Sequence, residues 1–217
     1  MKLATKFVAL ALMVFTTTSA FAQPTNKEAK QLLTEASEKL KSYKNIFLGF
    51  NYTFENKKVQ PPVVQKETGT IGIKGNDYRL KFMGIEQIRD GKKLYTILKA
   101  DEEVQVTDYT EQEDEGMTPS SILSLYQKGY SFKMGKAYKK DGKDIQDVEL
   151  KPNASEEIEK IIVSIEKISK KIISLKQWGK NGTTTTFVIT TFEPNKDVPN
   201  SYFKFNKKDY PGYYIAD

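Results

Sequence analysis

The chain has 217 residues, a formal net charge of +6, and neither histidine nor cysteine. Without these side chains, Ser-His-Asp and Cys-His catalysis, thiolate chemistry, disulfide bonds and ordinary zinc sites are excluded. Only two residues, Arg79 and Arg89, are arginine, and the lysines are interspersed with acids. That distribution is typical of a solvated surface and argues against a nucleic-acid partner.

Residues 1–22 carry the pattern of an export signal. Two lysines precede an apolar run at 7–15, and the segment ends in A-F-A, a small-residue cleavage site. The apolar run is shorter than the roughly 18 residues that a membrane-spanning helix needs. We therefore expect cleavage near Ala22 and Gln23, which leaves an exported chain of one domain at 23–217.

The first element predicted after the signal is an amphipathic helix in PTNKEAKQLLTEASEKLKSY. Thr25 and Glu28 fit a capping box at its start. Its apolar stripe recurs at helical spacing and consists of Ala29, Leu32, Leu33, Ala36, Leu40 and Tyr43.

Strands are predicted from Ile46 onward, where IFLGFNYTF alternates with the period of two that is typical of a half-buried strand. Asp90-Gly91, Asp141-Gly142 and Asn181-Gly182 indicate two-residue hairpins between such runs. The pattern predicts an antiparallel meander of about a dozen strands. They are placed at 46–57, 64–74, 77–83, 85–89, 93–99, 102–108, 130–139, 144–151, 159–167, 171–178, 183–192 and 202–205.

A second helix is expected in TPSSILSLYQKG, with Thr118 as its cap and Gly129 at its end. The preceding segment, TDYTEQEDEGM, is acidic but does not match the spacing of an EF-hand loop, so it predicts an exposed loop and no metal site. The apolar stripe of this helix is the candidate lid and consists of Ile122, Leu125 and Tyr126.

The apolar face of the strands either fills a core or lines a space for a guest. Taken strand by strand, such stripes are typical of an ordinary core. Only the strand count supports a cavity, because a curled sheet of roughly eleven strands would enclose more volume than its own side chains occupy, with the two helices across the open side. Val104 and Val106 are assigned to this concave face. The candidate lipid-binding residues on it are Leu48, Phe50, Tyr52, Phe54, Ile71, Ile73, Tyr78, Leu80, Phe82, Phe132, Met134 and Phe187.

Several segments also carry a family resemblance. After the initial helix come FNYTF, ETGTIGIKGNDYRLKF, IRDGKKLYTI, TPSSILSLY and finally SYFKFNKKDYPGYYIAD. In this order and spacing, the mature chain resembles the periplasmic outer-membrane lipoprotein carrier family (LolA) over nearly its whole length.

The resemblance implies a mainly β fold, a half-open antiparallel β-barrel of about eleven strands with helices covering its concave face. It implies a periplasmic carrier without catalysis or cofactor that shelters lipoprotein acyl chains. By this analogy the chain, acting as a monomer, takes lipoproteins from an inner-membrane ABC release complex to an outer-membrane acceptor.

One departure concerns the latch of the lid. Members of the family often place an Arg-Pro pair after the strand that corresponds to GTIGIK, whereas this strand ends in Lys74-Gly75-Asn76. Lys74 and Arg79 are the candidate replacements, with plain surface charge as the alternative.

Three other functions stay open at this point. The scaffold could carry or sense other lipids or glycolipids. A carboxylate-based envelope hydrolase would need two acids about 5–10 Å apart across a cleft. A structural envelope protein would have a filled interior.

Overall fold

The computed structural model describes residues 26–109 and 129–216. Within these ranges, one α-helix precedes twelve strands that form a single sheet. The helix is α1 (Lys27–Lys41), and the strands are β1 (Ile46–Asn56), β2 (Val63–Lys74), β3 (Asp77–Phe82), β4 (Ile85–Asp90), β5 (Lys93–Leu98), β6 (Glu103–Asp108), β7 (Tyr130–Lys140), β8 (Lys143–Pro152), β9 (Ile158–Glu166), β10 (Ile172–Gly179), β11 (Thr183–Pro194) and β12 (Tyr214–Ala216).

Several predictions fall outside the described residues. These are the export signal at 1–22, most of the acidic loop at 107–117, and the second helix with its cap Thr118 and the candidate lid, Ile122, Leu125 and Tyr126. In the part of the chain that is described, no helix is both long enough and apolar enough to cross a membrane.

Helix α1 follows its predicted stripe. Ala29, Leu32, Leu33, Ala36 and Leu40 are all buried. The predicted capping box at Thr25 is wrong, because the N-cap is Asn26, whose side-chain oxygen accepts a hydrogen bond of 2.9 Å from the backbone N–H of Ala29.

The sheet has the strand order β12-β6-β5-β4-β3-β2-β1-β11-β10-β9-β8-β7. It consists of two antiparallel meanders, β1–β6 and β7–β11, joined where β1 pairs with β11. The predicted meander is therefore confirmed. In the described residues the sheet ends at β12 and β7 and is not closed, and only one helix accompanies it, so the half-open barrel with a helical cover is matched in part.

The strand predicted at 202–205 is wrong. Asn200–Phe203 forms a 3-10 turn, and the last strand is β12, which adds to β6 as a parallel neighbour. The alternating rings of this stretch pack onto the sheet surface, since Tyr202 and Phe203 lie 5.2 and 6.0 Å from the ring of Phe47.

The two faces of the sheet bury different partners, and we call the face that α1 covers the inner face. Here α1 packs on β7–β10 and part of β1 in what we call the helix cluster. Its buried members are Ala29, Leu32, Leu33, Ala36, Leu40, Ile46, Phe132, Val148, Leu150, Ile161, Val163, Ile165, Ile172 and Leu175.

The outer face of β4–β6 is covered by the C-terminal residues in what we call the C-terminal cluster. This cluster contains Ile88, Tyr95, Ile97, Val104, Val106, Phe205, Tyr210, Tyr213 and Ile215. The assignment of Val104 and Val106 to the concave face is therefore wrong. Strand pairing places them beside Ile97 and Tyr95, which are out of phase with the inner-face residue Leu94.

Candidate functional site

The candidate site lies on the inner face of β1–β5 and β11, beside the helix cluster. The period-two pattern of β1 is observed as predicted, because Leu48, Phe50 and Tyr52 point to the inner face, whereas Phe47 contacts the C-terminal residues on the outer face. Antiparallel pairing then aligns Phe50 with Gly69 of β2, and Gly69 with Phe82 of β3.

Nine of the twelve candidate lipid-binding residues meet in one group, which we call the aromatic cluster. It also contains Leu94, which the sequence analysis missed. Its members are Leu48, Phe50, Tyr52, Ile71, Ile73, Tyr78, Leu80, Phe82, Leu94 and Phe187.

The other three candidates lie elsewhere. Phe132 is buried in the helix cluster, and Met134 packs against that cluster. Phe54 is half-buried on β1, opposite Thr185 and Gln65, and belongs to none of the three clusters. The structure thus separates the candidate set into a larger group on β1–β3 and β11 and a smaller one beneath α1.

Four rings form the centre of the aromatic cluster. Phe50 lies 5.5 Å from Phe82 and 5.7 Å from Phe187, measured between ring centroids. Tyr52 lies 5.1 Å from Phe82 and 5.2 Å from Phe187, with interplanar angles of 73° and 60°. Tilted and edge-to-face pairs at these distances are favourable, so the rings stabilise each other's positions.

Gly69 makes the contact between Phe50 and Phe82 possible. These rings belong to β1 and β3, which are separated by β2, and Gly69 is the residue of β2 that lies between them. A Cβ atom at this position would lie 2.3 Å from Cζ of Phe50, far inside van der Waals contact. The missing side chain therefore lets the Phe50 ring lie across β2.

The two inner-face clusters differ in what covers them. The helix cluster is sealed by α1, and its sheet residues Val148, Leu150 and Ile165 are fully buried. Every member of the aromatic cluster comes from a strand, and Tyr52 and Phe82 are only half-buried. Leu48 and Phe187 pack against both clusters, so the inner face carries one continuous apolar surface.

Polar side chains lie beside this surface, because strand pairing puts Glu67 next to Tyr52 and Gln87 next to Leu80 on the same face. Burial raises the pKa of Tyr52, and a hydrogen bond with Thr185 partly offsets that rise. Arg89 is buried on the inner face beside Tyr78 and Leu94, with its guanidinium carbon 3.6 Å from the ring centroid of Tyr109. Among the described residues, no group of three or more acidic side chains could hold a metal ion. The chemistry that this surface offers is apolar contact with hydrocarbon.

The two candidate latch residues lie on the outer face and hold the C-terminal residues. The ammonium of Lys74 contacts the side-chain oxygen of Asn200. Arg79 donates a 3.2 Å hydrogen bond to the backbone oxygen of Lys204, stacks 5.1 Å from the ring of Tyr202 and pairs with Glu86 at 3.2 Å. Their part in a lid latch stays a prediction.

Leu94 and Gly69 are the site residues that sequence reasoning missed. The Asp90-Gly91 turn sets a register in which Leu94 pairs with Arg89, and that register carried the necessary signal. Tyr95 and Ile97 are the more numerous apolar residues on β5, so the pattern pointed to their face and not to that of Leu94.

Known proteins that are similar to the chain agree with this fold. A family model described as outer membrane lipoprotein carrier protein LolA matches residues 18–182. No curated protein matches the sequence significantly.

Three solved structures are similar to this chain. An uncharacterized conserved protein from Thermus thermophilus has a TM-score of 0.55 at 8% identity, over 88% of this chain and 99% of that one. LprF from Mycobacterium bovis has a TM-score of 0.50 at 10% identity, over 81% and 98%. A LolA superfamily protein from Nitrosomonas europaea has a TM-score of 0.43 at 11% identity, over 82% and 97%.

Proposed function

Because the chain belongs to the outer membrane lipoprotein carrier (LolA) family, we propose that it is a periplasmic carrier that shelters lipoprotein acyl chains against the aromatic cluster. In this proposal residues 1–22 are removed on export, and 23–217 act as one domain. The carrier accepts lipoproteins from an inner-membrane ABC release complex and delivers them to an outer-membrane acceptor. Its role is binding and transfer, without a catalytic step.

The observation that carries the proposal is the half-buried aromatic cluster, continuous with the helix cluster but built from strands alone. Hiding each methylene group of an acyl chain from water is worth about 0.8 kcal/mol, so a chain of ordinary length needs an apolar partner to cross an aqueous compartment. The cluster supplies such a partner, already arranged by its ring contacts.

The same energetics also allow the acyl chain to be released from the carrier. A chain that leaves a bilayer for an apolar protein surface exchanges one hydrocarbon environment for another, so the net free-energy difference is small. Modest interactions with a donor or an acceptor then decide the direction of transfer.

The test is a pair of adjacent substitutions on β11. Phe187 belongs to the aromatic cluster, whereas Val188 is equally half-buried but, one residue along the strand, points to the outer face. We expect Phe187→Glu to lower the affinity for a synthetic triacylated peptide at least tenfold, because a carboxylate in the apolar site loses its hydration. Val188→Glu is the control and should keep the affinity near that of the parent chain.

The measurement is fluorescence titration with a labelled triacylated peptide, with far-UV circular dichroism to confirm that both variants fold. Affinity of the folded Phe187→Glu variant equal to that of the parent chain would show that the aromatic cluster is not the binding site.

Mass spectrometry of lipids that copurify with the native protein identifies the cargo. Triacylated peptides support the proposal, whereas a free glycolipid as the main species contradicts it.

A further inference from the structure

The β9–β10 turn presents an isoleucine to solvent at the end of the sheet where α1 ends. Ile168 is 84% exposed, the highest value among the large apolar side chains of the described residues. The turn is ordered by two backbone hydrogen bonds of 2.9 Å, from Lys170 N to Glu166 O and from Glu166 N to Lys171 O. This hydrogen-bonded turn therefore holds the Ile168 side chain toward solvent.

Lysines and aromatic rings surround this turn. The ammonium of Lys171 lies 4.8 Å from the ring centroid of Phe192, and that ring packs edge-on against Tyr43 at 5.7 Å. The ammonium of Lys39 lies 5.3 Å from the ring centroid of Tyr43. A contiguous surface thus runs from α1 across β11 to the turn.

The charge of this surface is positive. Its neighbouring acids are paired with lysines: Glu35 with Lys170 at 2.7 Å, Asp144 with Lys139 at 3.3 Å and Glu166 with Lys143 at 3.9 Å. Glu38 is exposed on α1. Within residues 26–109 and 129–216, no carboxylate lies within ion-pair distance of three exposed or half-buried lysines of this surface, which are Lys39, Lys167 and Lys171.

We propose that this surface docks the protein on an anionic lipid bilayer. We call it the basic tip and define it as Lys39, Tyr43, Lys167, Ile168, Lys171 and Phe192. Lysine ammonium groups and aromatic rings are the side chains suited to the headgroup region, and an exposed aliphatic side chain enters the acyl boundary. Charge complementarity selects anionic lipids, each lysine near such a surface being worth about a fivefold change in binding.

The inference goes beyond the proposed function and does not depend on the cargo. None of the residues of the basic tip belongs to the aromatic cluster. Docking would bring the end of the inner face, where Tyr43 and Phe192 border the helix cluster, next to the membrane. A carrier held there meets its donor and acceptor along a surface instead of through the whole compartment.

The test is cosedimentation with large unilamellar vesicles of phosphatidylcholine, with and without 30% phosphatidylglycerol. We expect binding to the anionic vesicles at 20 mM NaCl and its loss at 500 mM NaCl, because salt screens the attraction. The triple variant Lys39→Gln, Lys167→Gln and Lys171→Gln should bind at least tenfold more weakly than the parent chain.

The matched control removes three lysines far from the tip, all exposed on the outer face. Its substitutions are Lys66→Gln, Lys81→Gln and Lys133→Gln. Because both triple variants lose the same net charge, binding driven by overall charge falls equally in both. The inference requires the control to bind like the parent chain.

Insertion is measured with a tryptophan at the turn. Trp178 is the chain's only tryptophan, so Ile168→Trp in a Trp178→Phe background reports on the tip alone. A blue shift of its emission on anionic vesicles supports insertion, and an unchanged spectrum on bound protein overturns it. Equal loss of binding in both triple variants, or no vesicle binding while acyl-peptide affinity is intact, overturns docking and leaves the proposed function standing.

Discussion

Gly69 shows how one missing side chain shapes the candidate site. Alanine at this position would place its Cβ atom 2.3 Å from the ring of Phe50, so the ring must move and lose its contact with Phe82. We expect Gly69→Ala to lower the free energy of unfolding by about 1–3 kcal/mol, the usual cost of overpacking. Urea denaturation measures the change.

The smaller side chain of Phe50→Leu provides the control. In that background Gly69→Ala no longer meets a ring, so its cost should fall, and a double-mutant cycle gives the difference as a coupling energy. Strictly additive effects of the two substitutions would show that Gly69 does not act through Phe50.

Buried and half-buried tyrosines are expected to make stability sensitive to alkaline pH. Burial raises the pKa of Tyr52, Tyr130, Tyr202 and Tyr210. As pH rises past about 10, the unfolded chain loses these protons before the folded one does, so the free energy of unfolding falls. Urea denaturation between pH 8 and 10.5 should show this fall, and Tyr210→Phe should reduce its slope. Tyr214→Phe is the control, since Tyr214 is 69% exposed.

Among the elements, the C-terminal residues depend on a buried ion pair. The side chains of Arg79 and Glu86 are only 14% and 5% exposed and lie 3.2 Å apart. Arg79→Met would leave the Glu86 carboxylate buried with Lys99 at 3.6 Å. Because Lys99 still compensates part of this charge, we expect a loss of about 1–3 kcal/mol in the free energy of unfolding. Most of it should be recovered in Arg79→Met with Glu86→Met, which removes the buried carboxylate.

Two further measurements test the role of the Arg79–Glu86 pair, one as a control for stability and one for the latch. Lys93→Met breaks an exposed pair with Asp108 and should leave urea denaturation nearly unchanged. Acyl-peptide release from the folded double variant tests the latch prediction. Because Arg79 contacts the outer-face residues Tyr202 and Lys204, we expect the release rate to stay the same, and a marked change would support a latch.

Element positions were largely predictable because period-two alternation and two-residue turns are local signals. Eleven predicted strands correspond to β1–β11 with ends shifted by at most two residues. The faces of β5 and β6 were not predictable from alternation alone, since their more apolar face is the outer one. Residues 200–216, more than ninety positions later in the chain, cover the outer face of β5 and β6. The periodicity of a strand carries no information about a covering segment so far away in sequence.

The residues of the candidate site were also largely predictable, because most of them lie on strands that are neighbours in the sheet. Nine candidate residues share a cluster because β1, β2 and β3 are consecutive hairpin neighbours and β11 pairs with β1. Phe132 and Met134 alternate in the same way, but β7 lies at the far edge of the sheet beneath α1. Alternation shows which side chains of a strand share a face, whereas only the strand order shows which side chains they meet.

At the scale of the whole molecule, the described sheet carries apolar surface that another element covers and apolar surface that strands alone contribute. Helix α1 seals the inner face of β7–β10, and the C-terminal residues seal the outer face of β4–β6. The apolar area that these covers bury provides the stability, which frees the aromatic cluster from having to be sealed for the fold to persist.

We expect the two meanders to unfold together. Strands β1 and β11 pair over their length, and Leu48 and Phe187 pack against both inner-face clusters, so the apolar cores of the two meanders are joined. Trp178 on β10 reports on the second meander alone, whereas far-UV circular dichroism reports on both. We expect the two urea transitions to coincide within error, as a single cooperative domain requires. Separate midpoints would mean that β1–β6 and β7–β11 are independent units, and the shared residues would then contribute little to the link.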